Sequence, residues 1–369
     1  MVVVIFASFF TLLILAVPIA MAMGFSTILP ALIDPSFSGN LEFVVRSMIK
    51  GVDTTSILAI PLFMLSGAIM ATGGLSRKLF DVFAVFIGKI KGGMPCAVVV
   101  TCLFYGAISG SGPATTAAVG AMCYPLLIEM GYGKMFSASI LVSAGCLGMV
   151  IPPRVPLTGA AALAGGMDLV PLYQIAAVAG VAAGVLLIIY AYLYCLRKGN
   201  GNQEYIDKTV DELRKRKFSD LLKESLWALF TPVLILGTIF TGIADTAQAA
   251  VISLIYSIFV ATCIYKTIKP SEILPMIKKC TLNAAPLCFM IALASVFSGA
   301  MTALDIPAQL ANALISSGIS GSVLILLILG CMLLLGAFMD CGAAMAIIVP
   351  LVYPILVSYG LDHYTSIVS

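Results

Sequence analysis

The sequence predicts an all-α polytopic membrane protein in which one structural unit is written twice. Three observations predict it. The chain is 61% hydrophobic and 10% charged over 369 residues, a balance that a soluble domain of this size does not carry and a multi-span membrane protein requires. Several apolar stretches approach the ~20 residues that a helix needs to cross a ~30 Å hydrocarbon core. Residues 104–136 and 334–364, about 229 positions apart, read as the same element: Gly106-Ala107 answers Gly336-Ala337, Pro125 answers Pro354, and Gly131-Tyr132 answers Gly360-Leu361. Short apolar segments interrupted by Gly and Pro, at corresponding places in two halves of a membrane protein, point to a binding site.

The elements follow in order. Residues 2–24 are a first span and not a signal peptide, since they lack a basic leading region, the apolar run is too long and further spans follow. Residues 41–53 (LEFVVRSMIKGVD) form an interfacial helix with Arg46 and Lys50 towards headgroups. Spans follow at 55–72 and, short and amphipathic at its ends, 79–91. A first re-entrant hairpin occupies 95–130, with its tip at Ser109-Gly110-Ser111-Gly112-Pro113. A broken helix, 136–166, is interrupted at Ile151-Pro152-Pro153, and a full span covers 171–196.

Residues 197–225 hold eight of the twenty basic residues, interleaved with Glu204, Asp207, Asp211, Glu212 and Asp220, and read as a solvated, partly helical cytoplasmic linker. This linker divides a first repeat, 1–196, from a second, 226–369. Its side of the membrane also takes Lys134, Lys89, Lys91, Arg46 and Lys50 if 95–130 enters and leaves as a hairpin. The second half reads as 226–242, 246–265, an amphipathic stretch 268–281, 284–303, 306–317 and a second hairpin at 322–358. Lys266, Lys269, Lys278 and Lys279 favour parallel repeats, whereas the hairpin logic favours inverted ones.

Composition excludes several classes. The mixed charge of the linker argues against nucleic-acid binding. Ten cysteines lie mostly in apolar segments without CxxC spacing, which makes them packing residues and neither a disulfide framework nor a transition-metal site. His363 is the only histidine, which removes most hydrolase triads, so no catalytic residue is assigned.

Three clusters carry chemistry. In Ser109–Thr116, Pro113 ends a helix and the glycines release backbone groups that at bilayer depth need protein, water or an ion to satisfy them. Carbonyls and hydroxyls there suit Na⁺, and the half-helix N-terminus beyond the tip suits a carboxylate held near Ser111, Pro113 and Thr115; the alternative is a turn of small residues for close packing. In Gly148–Pro156, three prolines bar a continuous helix, and Arg154 beside them either holds a substrate carboxylate, pairs with Asp340, or reaches an aqueous cavity. Asp340, in a stretch with no Lys or Arg after Lys279, suits a cation or proton site, or an N-cap for the arm starting near Cys341. Glu129, Asp168, Asp305 and Asp362 read as interfacial, and Asp81 as facing water.

The block GAISGSGPATTAAVG, the following PLLIEMGY and LGMVIPP, the earlier PLFMLSGAIMATGGLSRKLFD and the GAFMD tip together resemble the large membrane subunit of tripartite ATP-independent periplasmic (TRAP) transporters, over essentially the whole chain. The resemblance implies an elevator-type, Na⁺-coupled importer of the ion-transporter superfamily, built from inverted repeats in the bacterial inner membrane. It implies two partners, a small four-helix membrane subunit and a periplasmic binding protein that delivers a small organic acid such as a C4-dicarboxylate or sialic acid. By motif position it implies Na⁺ ligands among Ser109, Gly110, Ser111 and Gly112, among Gly148, Ile151 and Pro152, and near Asp340 and Cys341. Three departures stand out: Arg154 replaces the usual Ser, Ala247-Gln248-Ala249 lacks the usual acid, and the second Pro-Pro break is expected near 380, past Ser369, as if the chain were C-terminally truncated. The rival readings are a stand-alone dicarboxylate symporter or ion antiporter on the same architecture, a lipid-modifying membrane enzyme, for which no acid/base cluster is visible, and a channel.

Overall fold

The structure is a computed structural model, and it describes residues 2–33, 41–53, 55–152, 155–164, 167–199, 201–215, 218–306, 321–338 and 341–359, with 309, 312 and 316 between. Among these residues every regular element is a helix. They are α1 (Val2–Ile14), α2 (Ile19–Ile33), α3 (Leu41–Val52), α4 (Thr55–Thr72), α5 (Leu75–Ile87), α6 (Gly93–Ser109), α7 (Gly112–Glu129), α8 (Lys134–Leu147), α9 (Val155–Leu163) and α10 (Leu169–Lys198). After them come α11 (Gln203–Lys215), α12 (Phe218–Phe240), α13 (Thr246–Phe259), whose last turn widens into a π segment at Val260–Ile264, α14 (Pro270–Ala303), α15 (Gly321–Phe338) and α16 (Cys341–Ser358). The expected segment 306–317 lies almost wholly outside the described residues.

Two expectations are corrected. The single first span, 2–24, is two packed helices, α1 and α2. Pro18 has no N–H to continue α1, and Ala16 closes it in the left-handed region at φ 58°. The N–H groups of Ala16 and Val17 donate back to Leu13 O and Leu12 O at 2.9 and 3.0 Å, the paired bonds of a Schellman cap. Glycine is the residue that holds this conformation without strain, so Ala16→Gly is expected to raise stability by about 1 kcal/mol, read as a higher midpoint in thermal unfolding. The second correction joins 268–281 and 284–303 into the 34-residue helix α14. Pro270 sits at its first position, where a missing N–H is harmless, and the polar Lys278, Lys279 and Asn283 lie within it.

The chain forms two compact units, each drawing on both halves of the sequence. One comprises Met1–Leu58, Pro156–Leu172 and Leu282–Ser369. Its core packs Ile5, Phe9 and Met23 of α1 and α2 around Phe297 and Met301 of α14, with the Phe9 and Phe297 rings 5.4 Å apart. The other comprises Ala59–Val155 and Tyr173–Thr281 and is built around α6, which is buried along nearly its whole length. A helix apolar on every side belongs in the middle of its unit, and Cys102, Tyr105 and Ile108 sit there with Phe80, Cys123, Leu127 and Ile140. By contrast α10 exposes Val178, Val181, Leu186 and Leu193, and its length of 30 residues exceeds what one crossing needs.

The 197–225 segment is more than a solvated loop. Ile206 and Val210 of α11 are fully buried, Arg214 Nη2 donates to Val85 O at 3.0 Å, and Lys89 pairs with Asp211 at 2.6 Å. Asn202 N donates to Met130 O at 2.7 Å and the Tyr205 hydroxyl to Glu129 Oε2 at 3.1 Å, so the helix is fastened to the far end of α7. The bond to Glu129 raises the Tyr205 pKa above its ordinary value, so this contact persists at neutral pH and is lost only as pH rises through that raised value. The dense charge of the segment hides a short apolar stripe at helical spacing.

Asp81 is a further correction: it is 7% exposed, and its Oδ1 accepts from Arg77 Nε at 3.1 Å one turn away. That guanidinium neutralises a carboxylate that the apolar core of α5 would otherwise exclude.

Candidate functional site

The first hairpin is α6 and α7 joined at Gly110-Ser111. Gly110 adopts φ 62°, and its N–H returns to Gly106 O at 2.8 Å, which ends α6. Ser111 is extended and caps α7, its Oγ accepting from Ala114 N at 3.5 Å, and Pro113 opens α7 in its first turn where it was expected to end a helix, since its missing N–H costs nothing there. Beyond Gly106, the carbonyls at the end of α6 have no intrahelical donors, because the chain has already turned.

Three oxygens gather inside this turn. Thr115 Oγ1 donates to Ser111 O at 2.8 Å, Ser109 Oγ lies 2.9 Å from Thr115 Oγ1, and Ser109 Oγ donates to Ser111 O at 3.3 Å. Ser109 is 4% exposed and Thr115 is fully buried. These are neutral, hard oxygen ligands, and among the described residues no group of three His, Cys, Asp or Glu side chains comes together. A site of hydroxyls and carbonyls suits a monovalent hard cation better than a transition metal, which takes nitrogen or sulfur.

The break after α8 closes over the same turn. Gly148, Met149 and Val150 donate back three residues, to Gly145, Cys146 and Leu147, so the helix tightens as it approaches Pro152. Here backbone meets backbone: a Cβ on Gly106 would collide with Gly148 Cα, and one on Gly148 would come within 2.7 Å of Thr115 Oγ1. Likewise a Cβ on Gly112 would meet Met149 Cγ at 3.0 Å. The three glycines make a cradle that any side chain would fill.

The structure therefore brings together Ser109, Gly110, Ser111, Gly112, Thr115 and Gly148. Pro113 is exposed on the rim of the turn. Ile151 and Pro152 are buried in the turn leaving α8, where Gly180 of α10 lies against Ile151. Cys341 opens α16 and is half-buried. Arg154 and Asp340 lie outside the described residues, as does Pro153. Gln248, standing where an acid was expected, completes a capping box with Asp245: its N–H donates to Asp245 Oδ1 at 2.7 Å, and its Oε1 accepts from Asp245 N at 3.1 Å.

Two features escaped the reading of the sequence. Gly67 of α4 lets that helix touch the tip, since a Cβ there would reach Ser109 Cα at 2.7 Å. One residue earlier, Ser66 Oγ lies 2.7 Å from both Ser253 Oγ and Ser257 Oγ, all three buried. A signal for them was present: Leu65-Ser66-Gly67-Ala68 is echoed by Phe297-Ser298-Gly299-Ala300. Both copies precede a left-handed residue that ends the helix, Gly74 at φ 72° and Asp305 at φ 54°.

Comparison with known proteins bears on this arrangement. The profile of the family described as tripartite ATP-independent periplasmic transporter, DctM component, matches residues 6–368. The chain belongs to this family. It is 33% identical over 322 residues to the C4-dicarboxylate TRAP transporter large permease protein DctM of Pseudomonas aeruginosa, covering 86% of this chain and 74% of that one. It is 31% identical over 361 residues to the isethionate TRAP transporter permease protein DctMQ of Oleidesulfovibrio alaskensis, covering 97% of this chain and 55% of that one, so it spans about half the length of that relative. With the sialic acid TRAP transporter large permease protein SiaM of Vibrio cholerae it shares 26% identity over 344 residues, 93% of this chain and 79% of that one. Its fold is similar to that of the Alcanivorax borkumensis YdaH transporter at TM-score 0.59 and 13% identity, covering 89% of this chain and 76% of that one. As a DctM-family chain of apolar helices, it is a multi-pass membrane protein and a component of a transporter, not an enzyme.

Proposed function

We propose that this chain is the large permease subunit of an inner-membrane secondary transporter that imports a small organic acid together with Na⁺. It acts beside a small four-helix membrane subunit and takes its cargo from a periplasmic binding protein. The observation that carries the reading is the meeting of the α6–α7 turn with the α8 break, where the oxygens of Ser109, Ser111 and Thr115 lie against Gly148. Na⁺ is cargo here and would sit among those oxygens; its charge offsets that of an acid held at the N-terminal end of α7. The relatives are named for isethionate, C4-dicarboxylate and sialic acid, whose common feature is one or more oxyanion groups on a small organic molecule.

The sequence likeness of α6–α7 to α15–α16 supports an elevator arrangement, in which a transport body slides past a scaffold. The test is reconstitution of the chain with both partners in liposomes and measurement of labelled succinate, isethionate and sialic acid uptake. The expected result is accumulation of one of them that needs both an inward Na⁺ gradient and the binding protein. Uptake that proceeds without the binding protein would select the stand-alone transporter, and uptake indifferent to Na⁺ would remove the ion from the hairpin turn.

A further inference from the structure

A second cavity, in the other unit, has a composition that the hairpin site lacks. It measures about 620 Å³ and lies among α3, α9 and α14. Arg46, Ser47 and Lys50 reach it from α3, and Ser295 and Ser298 from α14, and among the described residues no acidic side chain lines it. Phe43, Arg46, Ser47 and Lys50 recur at intervals of three and four and so share one helix face. Exposed Leu41, Val45, Ile49 and Val52 occupy the opposite face. The apolar stripe is turned outward and the cations towards the cavity.

The packing that creates the cavity is specific. A Cβ on Gly51 would collide with Ser295 Oγ, and one on Gly299 would reach Phe43 Cζ at 3.0 Å, so α3 and α14 approach through glycines and hold the serines beside the cations. Ser295 Oγ donates to Ile291 O at 3.0 Å, which fixes its rotamer. The other charged groups nearby in the chain are Glu42 on α3, which pairs with Arg46, and Asp53 just past its end; Glu42 neutralises part of the Arg46 charge and leaves Lys50 as the main cation.

We propose that this cavity is a second anion site, separate from the hairpin turn, which binds the carboxylate or sulfonate of a small soluble acid through Lys50, Arg46 and the hydroxyls of Ser47 and Ser298. Its volume matches a small organic molecule with its remaining water, well beyond a single carboxylate group. A phospholipid phosphate is the other source of such an oxyanion. The two sources share one oxyanion chemistry, and the lipid measurement below separates them.

The test is direct binding of succinate and isethionate to the purified full chain in nanodiscs, by calorimetry, with no transport required. Wild type is expected to bind at least one probe, more weakly as ionic strength rises. Lys50→Gln is expected to weaken binding about tenfold and Lys50→Arg to restore it, with unchanged circular dichroism marking intact folding. Thr115→Val, at the hairpin turn, is expected to raise the Na⁺ requirement of uptake roughly tenfold while keeping this binding, which separates failure of this site from failure of the transport reading. The proposal is overturned if neither probe binds wild type, if Lys50→Gln binds as wild type does, or if Thr115→Val abolishes all binding. Retention of phosphatidylglycerol that depends on Lys50, without binding of either soluble acid, would overturn the assignment of the occupant.

Discussion

Gly106→Ala is expected to abolish uptake and to destabilise the chain by about 3 kcal/mol, near the upper end of what overpacking costs. One added carbon would collide with the backbone of Gly148, which has no rotamer to turn aside. The two helices must separate, and with them the oxygens on either side of the contact. Most small-to-large changes are relieved by a flexible neighbour; this one is not, and that places it in the severe tail of substitutions. Gly237→Ala in α12 is the matching control, because among the described residues nothing lies within 4 Å of its new Cβ. That variant should gain up to about 1 kcal/mol from lower backbone entropy in the unfolded chain. Thermal unfolding of the two in the same detergent, followed by reconstituted uptake, gives the comparison.

Thr115→Val is expected to raise the Na⁺ concentration needed for half-maximal uptake by roughly 10-fold or more, the equivalent of about 1.4 kcal/mol per tenfold. Valine keeps the shape of the side chain and removes the hydroxyl that lies 2.9 Å from Ser109 Oγ and donates to Ser111 O. Ser109→Ala should act in the same direction, and the double variant should cost less than the sum, because both oxygens belong to one cluster. Titration of uptake against Na⁺ at constant ionic strength checks this. An unchanged Na⁺ requirement in both single variants would mean that the hydroxyls only hold the turn together.

Much of the frame was legible in the sequence because hydrophobic length and helix-breaking residues act locally. The arms and tip of the first hairpin follow from Gly110, which admits a positive φ, Ser111, which caps a helix, and Pro113, which fixes φ at its first turn, all of them local effects. The interruption at Ile151-Pro152 was readable for the same reason. Less was legible where a local signal had two outcomes. Pro18 in an apolar run is compatible with a kinked span or with two packed helices, and the left-handed Ala16 with its paired bonds makes it the latter. The prolines of α14 illustrate the opposite case, tolerated inside one long helix. Charge was the least reliable guide: it masked the buried Ile206 and Val210 of α11, and it put Asp81 in water when Arg77 neutralises it within the unit.

The sequence by itself determined that this is a helical membrane protein of the DctM family, with doubled segments broken by Gly, Ser and Pro, because those properties depend on composition and order alone. Only the tertiary structure decided which of the broken segments meet. Gly106 and Gly148 are far apart in the chain, and their lack of side chains acquires meaning only when two helices approach closely enough to exclude a carbon atom. In the same way Arg46 and Lys50 carry the same charge in any setting, but the helix face that they share, and the cavity it lines with Ser295 and Ser298, exist only once α3 has packed against α14.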